Sequence, residues 1–86
     1  MASARITIYT RPLCIWCFRA KRLLRRHGLT FEERDAQHEA TRAMLLERTG
    51  RRTVPQVFID DRSIGGFEDL RALAKTGALS SIVESN

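Results

Sequence analysis

The chain has 86 residues, 43% hydrophobic and 29% charged, which allows one small globular domain and argues against a disordered tail. Its net charge of +5 invites a nucleic-acid partner, but no aromatic residue is interleaved with the basic run Arg19, Lys21, Arg22, Arg25, Arg26 as base stacking requires. No apolar run approaches the roughly 18 residues of a membrane span, and MASARITIYT lacks the hydrophobic segment of a signal peptide, so the expected compartment is the cytoplasm.

Residues 5–9 (RITIY) alternate with period two and read as a strand. Thr10 to Leu13 turn out of it, because Pro12 cannot continue a ladder. From Cys14 the period changes to that of a helix, with Ile15, Phe18, Ala20, Leu23 and Leu24 as the expected inward stripe and Gly28 as its left-handed cap. Residues 29–34 (LTFEER) read as a second strand with Phe31 inward. A second helix starts near His38 or Glu39 and ends at Gly50. Val57, Phe58 and Ile59 form a buried strand, Asp60-Asp61 a hairpin turn, and Ser63-Ile64 the returning strand, broken by Gly65-Gly66. Phe67 opens a third helix with Leu70, Leu73 and Ala74 inward and Gly77 as its cap. A last short helix covers residues 79–84, with Ile82 and Val83 packing back.

The order β-α-β-α-β-β-α-α predicts an α/β fold: a four-stranded mixed sheet flanked by helices. The first crossover brings parallel strands together and the later hairpin adds antiparallel ones. No linker divides the chain, so residues 1–86 are expected to form a single domain.

Cys14 and Cys17 are the only cysteines. A structural zinc site needs four ligands, and His27 and His38, the candidates to complete one, lie on different elements and read as surface residues. A static disulfide would close a tiny loop and add little stability. Redox chemistry fits the placement better. Cys14 sits where a strand gives way to a helix, so its sulfur meets free N–H groups and the positive end of the helix dipole, which favour thiolate over thiol. Arg11 and Lys21 add positive potential. Cys17 lies one turn further in, close enough for a pair that opens and closes with small movement.

Three blocks carry a resemblance over nearly the whole length: YTRPLCIWC at 9–17, GRRTVPQVFID at 50–60 and GGFEDL at 65–70. With them the chain resembles a dithiol glutaredoxin of the thioredoxin fold. The resemblance implies a glutathione-dependent thiol–disulfide oxidoreductase with glutathione as co-substrate. Its protein partners would be glutathionylated or disulfide-containing, and it would act as a monomer. Cys14 would attack protein–glutathione mixed disulfides, and Cys17 would join it when the substrate is a protein disulfide. Thr53, Val54 and Pro55 would present backbone to the peptide part of glutathione, with Pro55 in the cis form. Gly66, Phe67, Glu68 and Asp69 would hold the γ-glutamyl end, Arg11 the glycyl carboxylate, and Trp16 would flank the glutathione sulfur.

Two departures stand out. Ile15-Trp16 fills the cysteine pair where most dithiol members carry Pro-Tyr, and Ile15 restores an N–H expected to point at the Cys14 sulfur. Phe67 stands where cysteine is frequent in related sequences. Members lacking that proline include some that bridge a [2Fe-2S] cluster between two subunits, which would make Cys14 a metal ligand in a glutathione-ligated dimer. The bulk of Ile15 and Trp16 could block this. A third reading, an electron-donor redoxin served by thioredoxin reductase, has no need of Arg11, Glu68 and Asp69.

Overall fold

The alternating apolar residues near the N-terminus do form a strand, and everything else is arranged around it. The computed structural model of the chain describes residues 4–84. Its elements run β1 (Ile6–Thr10), α1 (Ile15–Arg26), β2 (Glu32–Asp35), α2 (Glu39–Thr49), β3 (Gln56–Ile59), β4 (Arg62–Gly65), α3 (Phe67–Thr76) and α4 (Ala78–Glu84). The strands form one sheet in the order β2-β1-β3-β4. β1 pairs parallel with β2, Ile8 facing Glu33, and antiparallel with β3, Ile8 facing Val57. β3 and β4 form the antiparallel hairpin, with an irregularity between Val57 and Phe58. The expected mixed sheet and element order hold.

Alternation along β1 and β3 divides the interior in two. Ile6, Ile8, Val57 and Ile59 point to one face, where Ala20 and Leu24 of α1, Leu70 of α3, and Leu79 and Val83 of α4 cover them. Tyr9 and Phe58 point to the other face and pack with Ala36 and with Leu45 of α2. Their rings meet edge-on at 5.7 Å. Helices therefore cover both faces. Leu24 is fully buried in the larger cluster. Replacing it with alanine removes contacts that the surrounding sheet and helices cannot reclaim. Leu24→Ala is expected to lower unfolding free energy by about 2–5 kcal/mol in a denaturant titration.

Helix α1 is rotated relative to the expected stripe. Cys17, Ala20 and Leu24 are its buried residues, whereas Ile15 and Phe18 are 58% and 54% exposed. One residue moves a side chain about 100° around a helix, so packing Ala20 and Leu24 on the sheet turns both Ile15 and Phe18 outward. The second strand also begins later than expected. Phe31 precedes it and is half-buried against the larger core. The strand itself, EERD, is exposed throughout, and such a charged edge discourages pairing with another sheet. Helix ends follow the sequence closely. Gly50 and Gly77 cap α2 and α3 in the left-handed conformation, and Gly28 after α1 shares it.

Candidate active site

The loop after β1 reverses at Leu13, whose φ is +58°, and delivers Cys14 as the N-cap of α1. The cap group is the sulfur. Cys14 Sγ accepts a hydrogen bond from the Cys17 N–H at 3.1 Å. It also lies 4.0 Å from the Val54 carbonyl oxygen, to which the thiol can donate. An N–H aimed at sulfur stabilises negative charge there. This donor belongs to Cys17 and not, as the sequence suggested, to Ile15.

The two cysteines differ sharply. Cys14 is half-buried and reachable, while Cys17 is 2% exposed. Burial, aided by the hydrogen bond with Cys14, pushes the Cys17 thiol up to about 12, against weaker opposing pulls from the Arg11 backbone and Lys21. At neutral pH Cys17 therefore keeps its proton, and Cys14 is the more accessible of the two sulfurs. Lys21 is a less free charge than expected, since its ammonium is held at 2.9 Å by Glu33.

Across from Cys14 runs the segment Thr53–Pro55. The Val54–Pro55 peptide bond is cis, as the resemblance implied. The segment is pinned from below by Gln56, whose side-chain N–H donates to the Thr53 carbonyl at 3.0 Å. Beyond it, the N-terminus of α3 is tied by Asp69, which accepts from the Gly66 N–H at 3.0 Å and from Arg51 at 2.8 Å.

A groove of about 270 Å³ is lined by Trp16, Arg51, Thr53, Val54, Pro55 and residues 66–69, whereas Cys14 and Cys17 line a different cleft of about 910 Å³. The Trp16 and Phe67 rings lie 5.7 Å apart. Nearly all the expected binding residues meet there. Arg11 does not. It lines a separate pocket of about 360 Å³ with Arg42, Arg51, Arg52, Thr53 and Val54, continuous with the groove through Arg51, Thr53 and Val54. Glu68 projects outward, with a long ion pair to Arg71 at 3.5 Å.

Arg51 is the residue that sequence reasoning missed. It lies in the block GRRTVPQVFID, in which only Thr53, Val54 and Pro55 carried an expected role. Its position just before the Thr53–Pro55 segment was the available signal. Arg51 holds the Asp69 carboxyl below its ordinary value of 3.8, with the Gly66 N–H second. Glu33 is likewise held below 4.5, first by the Thr10 hydroxyl at 2.6 Å and then by Lys21.

These shifts set a pH window. The two carboxylates are lowered in the folded state, so their contribution is present above about pH 4.5 and is lost as pH falls through their folded values. Cys17 is raised, so its contribution is present below its ordinary value of 9.0 and is lost as pH climbs toward about 12. The thermal midpoint of the reduced protein is expected to be flat between these limits and to fall outside both. Cys17→Ser is expected to flatten the alkaline limb alone.

Among the described residues no group of three or more His, Cys, Asp or Glu side chains is placed to hold a metal ion. One chain offers a single reachable cysteine sulfur, so its own donor set does not fit a resident cluster. No helix among the described residues is long and apolar enough to cross a membrane.

The sequence profile of the glutaredoxin family matches residues 6–64. A probable glutaredoxin of Synechocystis is 45% identical over 85 residues, which cover 96% of this chain and 97% of that protein. Among solved structures, the glutaredoxin from Brucella melitensis superposes with a TM-score of 0.87 at 45% identity, covering 96% of this chain and 91% of that one. A buckwheat glutaredoxin in complex with glutathione gives a TM-score of 0.87 at 29% identity, covering 95% and 78%. By the match of the family profile over residues 6–64 and the identity to a relative covered almost end to end, this chain belongs to the glutaredoxin family.

Proposed function

We propose that the protein is a glutathione-dependent thiol–disulfide oxidoreductase that reduces protein–glutathione mixed disulfides and protein disulfides. The observation that carries this is the position of the Cys14 sulfur. It is capped by an N–H at 3.1 Å and lies 4.0 Å from the carbonyl of Val54, a residue that lines the groove. The buckwheat relative binds glutathione, which supports a tripeptide ligand here. Its cysteinyl part would pair with the Val54 backbone. Its γ-glutamyl carboxylate would meet the N–H groups at the start of α3. Its glycyl carboxylate would reach the pocket of Arg11, Arg51 and Arg52, which are suited to forked hydrogen bonding. Asp69 is already engaged by Arg51 and Gly66, so its role toward the γ-glutamyl ammonium is that of a nearby fixed charge.

In the mixed-disulfide route the Cys14 thiolate attacks the glutathione sulfur. The substrate S–S bond breaks, and its electron pair leaves on the protein sulfur, which takes a proton. A second glutathione thiolate then attacks the bound glutathione sulfur, forming glutathione disulfide and returning the electron pair to Cys14. With a protein disulfide, Cys14 attacks one substrate sulfur and the other departs. Cys17 then attacks Cys14 Sγ, releasing the reduced protein, and its proton passes to the departing thiolate. Two glutathione molecules restore the dithiol and leave as glutathione disulfide.

The compartment proposed is the cytoplasm, where thiols are kept reduced, and the proposed working state is a monomer. The test is turnover of a small glutathione mixed disulfide by the purified protein with glutathione, NADPH and glutathione reductase. If the protein turns over only when thioredoxin reductase replaces the glutathione system, the electron-donor reading stands instead. A [2Fe-2S] dimer would need ligands from a second chain and from glutathione. Colourless protein from anaerobic purification with glutathione rules it out.

A further inference from the structure

The large exposed apolar side chains among the described residues are Leu13, Ile15, Trp16 and Phe18, and all lie within four positions of Cys14 along the chain. This is not loose packing, since α1 seats Cys17, Ala20 and Leu24 firmly in the interior. Leu13 is fully exposed, at 105%, and sits at a φ of +58°, a conformation that leucine adopts at a cost and that glycine or asparagine would tolerate better. An apolar side chain held out in water at such a position is suited to contact with something else. Leu13, Ile15 and Phe18 together wall a cleft of about 910 Å³ beside Cys14. Trp16 and the glutathione groove lie apart from it. The charged groups lining this cleft are two of each sign, Arg11 and Lys21 against Glu33 and Asp35, and Lys21 and Glu33 are paired.

The remainder of the same helix face is different in kind. α1 contains no acidic residue, and Arg19, Arg22 and Arg26 are exposed and form no salt bridge among the described residues. Ile15, Phe18 and Arg22 follow one another at helical spacing, with Arg19 and Arg26 alongside. At 1.5 Å per residue, Arg22 and Arg26 stand roughly 12 and 18 Å along the axis from Cys14. The face therefore reads apolar at the nucleophile and cationic beyond it.

We propose that this outer face of α1 is the docking surface for the polypeptide substrates of the thiol–disulfide chemistry, and the proposal rests on that reading of the site. The partner it fits is a polypeptide with a large apolar side chain beside its disulfide and carboxylates some 10–20 Å further along. The apolar side chain enters the cleft against Leu13, Ile15 and Phe18. The carboxylates meet Arg19, Arg22 and Arg26. Charge complementarity selects a polypeptide over a second copy of this chain, which would bring the same cations face to face.

The test uses the full chain and disulfide-bonded synthetic peptides of equal length. One carries leucine beside the disulfide and a run of glutamates. A second has the glutamates replaced by lysines, and a third has the leucine replaced by serine. The wild type is expected to prefer the first peptide by about tenfold in kcat/KM at low salt, with the preference shrinking as salt rises. Charge reversal in the double variant Arg22→Glu, Arg26→Glu is expected to erase or invert the preference between the first two peptides. Phe18→Ser is expected to reduce the leucine peptide several-fold and leave the serine peptide unchanged. Both variants are expected to turn over the mixed disulfide of glutathione with 2-mercaptoethanol within about twofold of wild type.

Docking is also read without turnover, by the fluorescence anisotropy of dye-labelled reduced peptides as they bind the Cys14→Ser chain at two salt concentrations. Equal rates and equal binding for the glutamate and lysine peptides overturn the proposal. So does a charge-reversed variant that loses the small mixed disulfide as much as the acidic peptide. A wild type that fails on the small mixed disulfide overturns the catalytic reading instead, while peptide binding to Cys14→Ser still decides the docking surface.

Discussion

Cys14→Ser is expected to lose turnover of a small glutathione mixed disulfide by at least about 10³-fold, because a hydroxyl is a poor nucleophile toward sulfur and nothing nearby can replace it. Cys17 cannot stand in. It is 2% exposed, and burial holds its thiol up to about 12. Cys17→Ser is expected to retain most of the same activity, since the mixed-disulfide route never uses the second thiol. It removes a buried sulfur but leaves the backbone N–H that caps Cys14 at 3.1 Å. With a peptide disulfide as substrate the same variant is expected to slow strongly, because the captured peptide then waits for glutathione to release it. A glutathione-coupled assay of both variants on both substrates checks this. Retained turnover in Cys14→Ser would mean the nucleophile lies elsewhere.

Gly65→Ala is expected to be the most damaging single-methyl change near the site. Gly65 lies at φ +113°, where alanine is strained, and a Cβ there would run into the Asp69 carboxylate. Either the strand end or the carboxylate must shift. Moving the carboxylate gives up its bond to the Gly66 N–H and its ion pair with Arg51. Strain and lost hydrogen bonds together are expected to lower stability by about 2–4 kcal/mol in denaturant titrations. The start of α3 is one end of the groove, so KM for glutathione is expected to rise several-fold in whatever fraction folds. Asp69→Asn separates the causes. It keeps the backbone conformation at Gly65 and an oxygen able to accept from Gly66, and is expected to cost only about 0.5–1.5 kcal/mol.

What could be read from the chain was whatever local chemistry dictates. The alternation of RITIY, the switch to a helical period after Cys14 and the left-handed glycines at 28, 50 and 77 each act within a few residues, so the element order followed directly. The strand-to-helix junction placed Cys14 at a helix start, and the blocks at 50–60 and 65–70 brought the groove residues into view. The boundary at Phe31 was less legible, because pairing with β1 sets where β2 begins.

The tertiary structure alone decided which way side chains face and which charges meet. Helical phase on the sheet turned Ile15 and Phe18 outward, since Ala20 and Leu24 had to face the core. Burial, which depends on every element packed around it, made Cys17 a reluctant acid while Cys14 stayed reachable. Arg51 and Asp69, 18 residues apart, meet at 2.8 Å, because the β3–β4 hairpin folds the start of α3 back beside the segment that leads into β3. Arg11 lies beside Cys14 in the chain yet opens onto a different pocket from Trp16. RPLCIWC on its own pointed to Cys14; the long-range packing around it separated the groove of Trp16, Thr53–Pro55 and residues 66–69 from the apolar and cationic outer face of α1.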